Sequence, residues 1–98
     1  MIEVQLQIPD SVNSDALVML IEHTCIAHGL TCILKGTLAS YPGSAHWHFK
    51  KGRLKGILEI TWWELERRLW FKVAQNRRGE WIEDSIPQLK EQIEKSLD

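Results

Sequence analysis

AHWHFKKGRLKGILEITWWELERRLWFKV, residues 45–73, is the stretch whose reading decides the fold. Three tracts within it alternate apolar and polar side chains: His46 to Lys50, Arg53 to Trp62 and Arg67 to Val73. That two-residue period is the mark of a strand with one face buried. Lys51-Gly52 suits a two-residue hairpin turn, because glycine accepts the positive φ such turns require. Trp63-Glu64-Leu65-Glu66 serves as the second short connection. This register predicts Phe49 opposite Leu54, Trp47 opposite Gly56 and Ala45 opposite Leu58, with Gly56 leaving room for the Trp47 indole. It then places Ile60 opposite Leu69 and Leu58 opposite Phe71. All of these fall on one face, and a one-residue slip in either hairpin would mix the two faces.

Outward from that stretch, Glu3 to Ile8 alternates as a further strand, which Pro9 and Asp10 end. Ser11 is placed to cap the helix that follows. Leu17, Leu20, Ile21, Thr24 and His28 recur at helical spacing between Ser14 and His28, with Gly29 where a left-handed C-cap belongs. Met19 and Ile26 lie roughly opposite that stripe and suggest a second contact surface. Leu30 to Leu38 reads as a strand, with Cys32 and Leu34 on one side and Thr31, Ile33 and Lys35 on the other. Residues 39–44 and 75–80 have loop chemistry. Ile82, Ile86, Leu89, Ile93 and Leu97 form the stripe of a last helix. Pro87 places its start near Glu83 or Asp84, since proline is tolerated only in a first turn.

The order is β-α-β-β-β-β-α, an α+β domain with one five-stranded antiparallel sheet and both helices packed on one face. As an analogy of element order, it resembles the half-repeat of TATA-binding protein and the helix-grip domains, without any of their sequence motifs. A ferredoxin-like arrangement is the alternative, and it needs a helix between the later strands.

The chain of 98 residues, 44% hydrophobic and 26% charged, is sized for one domain spanning residues 1–98. Its longest apolar run, Ala16 to Ile21, is far short of the roughly 20 residues of a membrane span. The amino end lacks a basic segment leading into an apolar one. Cys25 and Cys32 are too few for a disulfide framework. A reduced, cytoplasmic protein with no membrane partner is therefore expected, and both cysteines are read as small core fillers. The net charge of −1 divides into −3 over residues 1–49, +6 over residues 50–78 and −4 over residues 79–98. The middle of the chain is strongly basic.

The sheet face away from the helices is expected to carry the function. The register above sets His48 against Lys55, Lys50 against Arg53, and His46 against Ile57 and Lys72. It also sets Glu59 against Trp70 and Thr61 against Arg68. Lys50, Arg53, Lys55, Arg68 and Lys72 would meet an anion such as a nucleic acid or a phosphate ligand, while Trp70 stacks on its rings. A plain solvated face would carry the same residue types. His46 and His48 project from the same side of their strand, and Glu59 on the neighbouring strand supplies a third metal ligand. Lys55 opposite His48 would repel a cation there, and the spacings of the cupin motif are missing. Cys25 and His28, at i and i+3 of a helix, are the only nucleophile–base pair. Trp70, Ile33 and Ile57 have no core explanation, so self-association as a homodimer through this face, or through Met19 and Ile26, is a further expectation. No catalytic constellation or cofactor fingerprint is present. A non-enzymatic binding domain without a cofactor is expected.

Overall fold

A computed structural model describes residues Met1–Asp98. Its elements are β1 (Ile2–Leu6), α1 (Ser14–Ala27), β2 (Thr31–Gly36), β3 (Ala45–Lys50), β4 (Leu58–Trp63), β5 (Arg68–Val73) and α2 (Glu80–Ser96), with short 3-10 turns at Glu64–Glu66 and Gln75–Arg77. The five strands form one antiparallel sheet in the order β1-β5-β4-β3-β2. Leu17, Ile21 and Cys25 of α1, and Ile82, Leu89 and Ile93 of α2, share a core with Trp47, Phe49, Leu58, Ile60, Trp62, Leu69 and Phe71. The expected two-layer α+β architecture is thus present. The ferredoxin-like alternative falls, because no α-helix stands between β2 and β5.

Strand phase agrees with the alternation, but strand register does not. Phe49 faces Leu58, Trp47 faces Ile60 and Ala45 faces Trp62, a slide of four residues from the expected hairpin. Between β4 and β5 the slide is two residues, so that Ile60 faces Phe71 and Trp62 faces Leu69. Even slides keep every side chain on its own face, so the apolar pattern is blind to them. The reason for the longer hairpin lies at Gly56. Its φ of +114° ends the extended run, and its bare Cα lies against Ile82 and the backbone of Arg77 and Gly79 rather than beside Trp47. Residues 51–57 are a loop clamped to the segment before α2. There the Ile57 N–H donates to the Arg77 carbonyl at 2.9 Å, and the Trp81 indole donates to the Lys55 carbonyl at 2.9 Å.

Other boundaries move for local reasons. Asn13, not Ser11, caps α1, its side-chain oxygen accepting from the Ala16 N–H at 2.9 Å. Helix α2 begins at Glu80 and carries Pro87 inside it. Burial of Trp81 and Ile82 draws the first turn into the helix, and the carbonyl of Glu83, which Pro87 cannot satisfy, belongs to an exposed residue open to water. In β2 a bulge between Cys32 and Leu34 reverses the alternation, setting Leu34 beside His48 and Lys35 beside Trp47. Lys35 therefore reaches the helix side, where its ammonium meets Glu22 at 2.7 Å. Cys32 is exposed on this edge strand, whereas Cys25 is fully buried as expected.

Large rings fill the core with their polar atoms satisfied. The Trp47 indole donates to Glu22 at 2.9 Å and the Trp62 indole donates to Ser14 at 2.8 Å. Burial raises the affinity of the Glu22 carboxyl for its proton. Lys35 and the Trp47 N–H together outweigh that effect and hold it below the usual carboxylate range. Arg67, at φ 53°, donates to the carbonyls of Pro9 and Val12 and lies over the Trp62 ring, tying the β4–β5 turn to the chain before α1.

A Cβ at Gly79 would lie 1.9 Å from the Lys55 carbonyl oxygen, and one at Gly56 would lie 2.8 Å from Ile82. Gly56→Ala and Gly79→Ala are each expected to lose about 2 kcal/mol or more in urea denaturation. Gly52→Ala, with nothing within 4 Å of its added carbon, is expected to lose only about 1 kcal/mol.

Candidate metal centre

Two cross-strand rows build the centre of the sheet face away from the helices. One runs Glu3, Lys72, Glu59, His48, Leu34, and the next runs Gln5, Trp70, Thr61, His46, Gly36. This face is not simply wet: His46 is 5% exposed, Thr61 2% and Trp70 4%. The β2–β3 loop folds over one part of it. Tyr41 meets Trp70 and Trp63 edge-on, with ring centroids 5.1 and 5.0 Å away, and the Trp63 indole donates to the Pro42 carbonyl. The Arg68 guanidinium lies 4.9 Å from the Trp70 ring centre.

Trp70 is therefore already enclosed and offers no free ring for a base, contrary to the expectation of an exposed stacking platform. The basic residues do not gather either. Arg53 and Lys55 are exposed in the loop after β3, while Lys50 is half-buried at that strand's end. Arg68 stands at the opposite end of the sheet, next to Trp63. Lys72 is set between Glu3 and Glu59. Charges of both signs alternate along the row Glu3, Lys72, Glu59. Ile33 is exposed and Ile57 half-buried.

The three candidate metal ligands do converge. His48 stands directly across from Glu59, not Lys55, and the cations that flank the cluster are instead Lys72, across from Glu59, and Arg77. The His46 and His48 Nε2 atoms are 3.0 Å apart, and the Glu59 Oε1 lies 3.6 and 3.8 Å from them. Two ligands on a tetrahedral ion with bonds near 2.1 Å are separated by about 3.4 Å. A triangle with the observed edges has its equidistant point about 2.0 Å from each atom, the length of a zinc–nitrogen or zinc–oxygen bond.

Outer partners orient each donor. His46 Nδ1 lies 2.8 Å from the Thr61 hydroxyl, which leaves Nε2 directed at the cluster. Glu59 turns its other oxygen to Arg77, whose Nη1 is 3.8 Å away. Burial, then the neighbouring His48, makes the His46 imidazole harder to protonate; Glu59 opposes the shift and Lys72 adds to it, and the net direction is downward.

Thr61 was legible as a member of this face, but its role as the His46 partner depended on the true register. Tyr41 and Arg77 come from loops that carry no periodicity, so the alternation held no sign of them. The Cys25–His28 pair is no nucleophile: burial pushes the Cys25 thiol up to about 12, and the His28 ring pairs with Gln92 at 2.8 Å. Comparison of the chain with protein-family models, curated proteins and solved structures finds no match.

The lowered pKa of His46 makes metal-free stability depend on pH with a definite sign. The unfolded imidazole binds its proton near pH 6.5 and the folded one only at lower pH. Stability is therefore full above about pH 6.5 and falls as pH drops toward the folded value. Thermal unfolding between pH 7.5 and 5.5 is expected to show this fall, and His46→Gln is expected to flatten it.

Proposed function

We propose that the protein is a small metal-binding domain whose centre is His46, His48 and Glu59, and that its ion is of the zinc class. The observation that carries this reading is the triangle of donor atoms with edges of 3.0, 3.6 and 3.8 Å. Two imidazoles and one carboxylate suit zinc, cobalt or ferrous iron better than calcium or magnesium, which favour all-oxygen sites. Zinc needs both Nε2 atoms free of protons. Thr61, accepting from His46 Nδ1–H, stabilises the required tautomer of that ring. The free anion reading on Lys50, Arg53, Lys55, Arg68 and Lys72 loses its main support with the enclosure of Trp70.

The untagged full chain is expected to bind one equivalent of zinc in calorimetry, with a dissociation constant of about 1 μM or below. His46→Gln, His48→Gln and Glu59→Gln are each expected to weaken this by about 100-fold or more, and Thr61→Val by about tenfold. A chain that takes up neither zinc, cobalt, manganese nor iron in elemental analysis overturns the proposal. So does zinc binding that survives both histidine substitutions.

A second reading, self-association, is favoured by α1. Met19 and Ile26 remain 56% and 61% exposed, next to an edge strand, β2, with every residue exposed. Trp70, the other surface considered for it, is enclosed. Light scattering is expected to give a dimer that Met19→Glu converts to a monomer. A wild-type monomer at high concentration overturns this reading.

A further inference from the structure

We infer that the metal-loaded centre takes a small carboxylate at the coordination position the protein leaves open, with Lys72 and Arg77 as the counter-charges. This rests on the metal-binding reading above and names the ligand class of the same site. The cluster consists of three donors, His46, His48 and Glu59. A tetrahedral ion takes four, and three-ligand zinc sites keep the fourth position for an exogenous group.

Charge decides which group that is. Glu59 supplies one negative charge to a dication. Lys72 stands directly across from it on β5, and Arg77 approaches its second oxygen at 3.8 Å. The next acid in the row, Glu3, is on the far side of Lys72. With the ion in place the site is strongly positive, and a water molecule as fourth ligand would leave that excess uncompensated. The excess is felt strongly because the His48 and Glu59 side chains are only 16% and 14% exposed, which limits screening by solvent. A carboxylate would give one oxygen to the ion and displace the bound water. Its second oxygen would then accept from Lys72 or Arg77 in a charge-assisted hydrogen bond. The His46, His48 and Glu59 side chains are only 7%, 16% and 14% exposed, so only a small occupant reaches an ion held among them.

The test uses the full chain loaded with cobalt(II), whose visible absorption reports its ligands. Sodium acetate is titrated in a weakly coordinating buffer, with perchlorate holding ionic strength constant. A saturable one-to-one change of the cobalt bands is expected. The double variant Lys72→Gln, Arg77→Gln, still saturating with one cobalt, is expected to need about tenfold more acetate. Bands that stay unchanged at high acetate while cobalt remains bound overturn this inference and leave the metal-binding reading standing. Equal acetate affinity in the double variant overturns the assigned counter-charges. A chain that binds no cobalt at all overturns both readings.

Discussion

His46 is held out of water in a strand whose other face is already core, and a ring so enclosed must find partners for both nitrogens within the protein. Thr61 answers one nitrogen, and His48 the other, with Glu59 close by. Much else on this face follows from that demand. The sheet places His48 and Glu59 in one row and His46 and Thr61 in the next, so the three donors meet at a corner shared by two strands. An enclosed group of this kind with no ion must share protons among its members. An ion near the equidistant point would displace the proton shared between the two imidazoles.

The enclosure is made by loops, and the loops are held by backbone contacts that depend on absent side chains. At Gly56 and Gly79 two chain segments approach more closely than any Cβ would permit. That approach anchors the Arg77 carbonyl on the Ile57 N–H, two residues before Glu59 in the chain, and so delivers the Arg77 guanidinium to the Glu59 carboxylate. On the other side, the edge-on contacts of Tyr41 with Trp63 and Trp70 close the face. The central strands of the sheet are thus covered by helices on one side and partly by two loops on the other. They are consequently rich in large side chains in both phases, with Trp62 facing the helices and Trp70 facing away.

The charge distribution takes on a different meaning in this setting. The positive excess of residues 50–78 suggested a basic surface, yet the fold disperses it. Arg67 serves the chain before α1, Arg68 covers Trp70, Lys72 alternates with acids, and Arg77 faces Glu59. Lysines and arginines close in sequence alternate faces or fall in separate loops, so a charged run along the chain does not become a charged patch in space. Within this stretch only Arg77 and Arg78 form ion pairs, with Glu59 of β4 and Glu83 of α2.

How much of this was legible in the residues depends on the range over which each property is set. Alternation and helical spacing are local, and they alone determined the α+β class, the membership of each sheet face, the burial of Trp47, Phe49, Ile60 and Phe71, and the shared side of His46, His48 and Glu59. Register is not local. Slides of four and two residues leave the apolar pattern intact, so only packing across the whole domain chose Glu59 rather than Lys55 as the neighbour of His48. The bulge that turned Lys35 toward Glu22 was likewise hidden, because one unpaired residue leaves no mark on composition. The covering of Trp70 by Tyr41 and the approach of Arg77 to Glu59 were decided by tertiary structure as well. Each joins segments distant in the chain through close packing, and such contacts have no period to read.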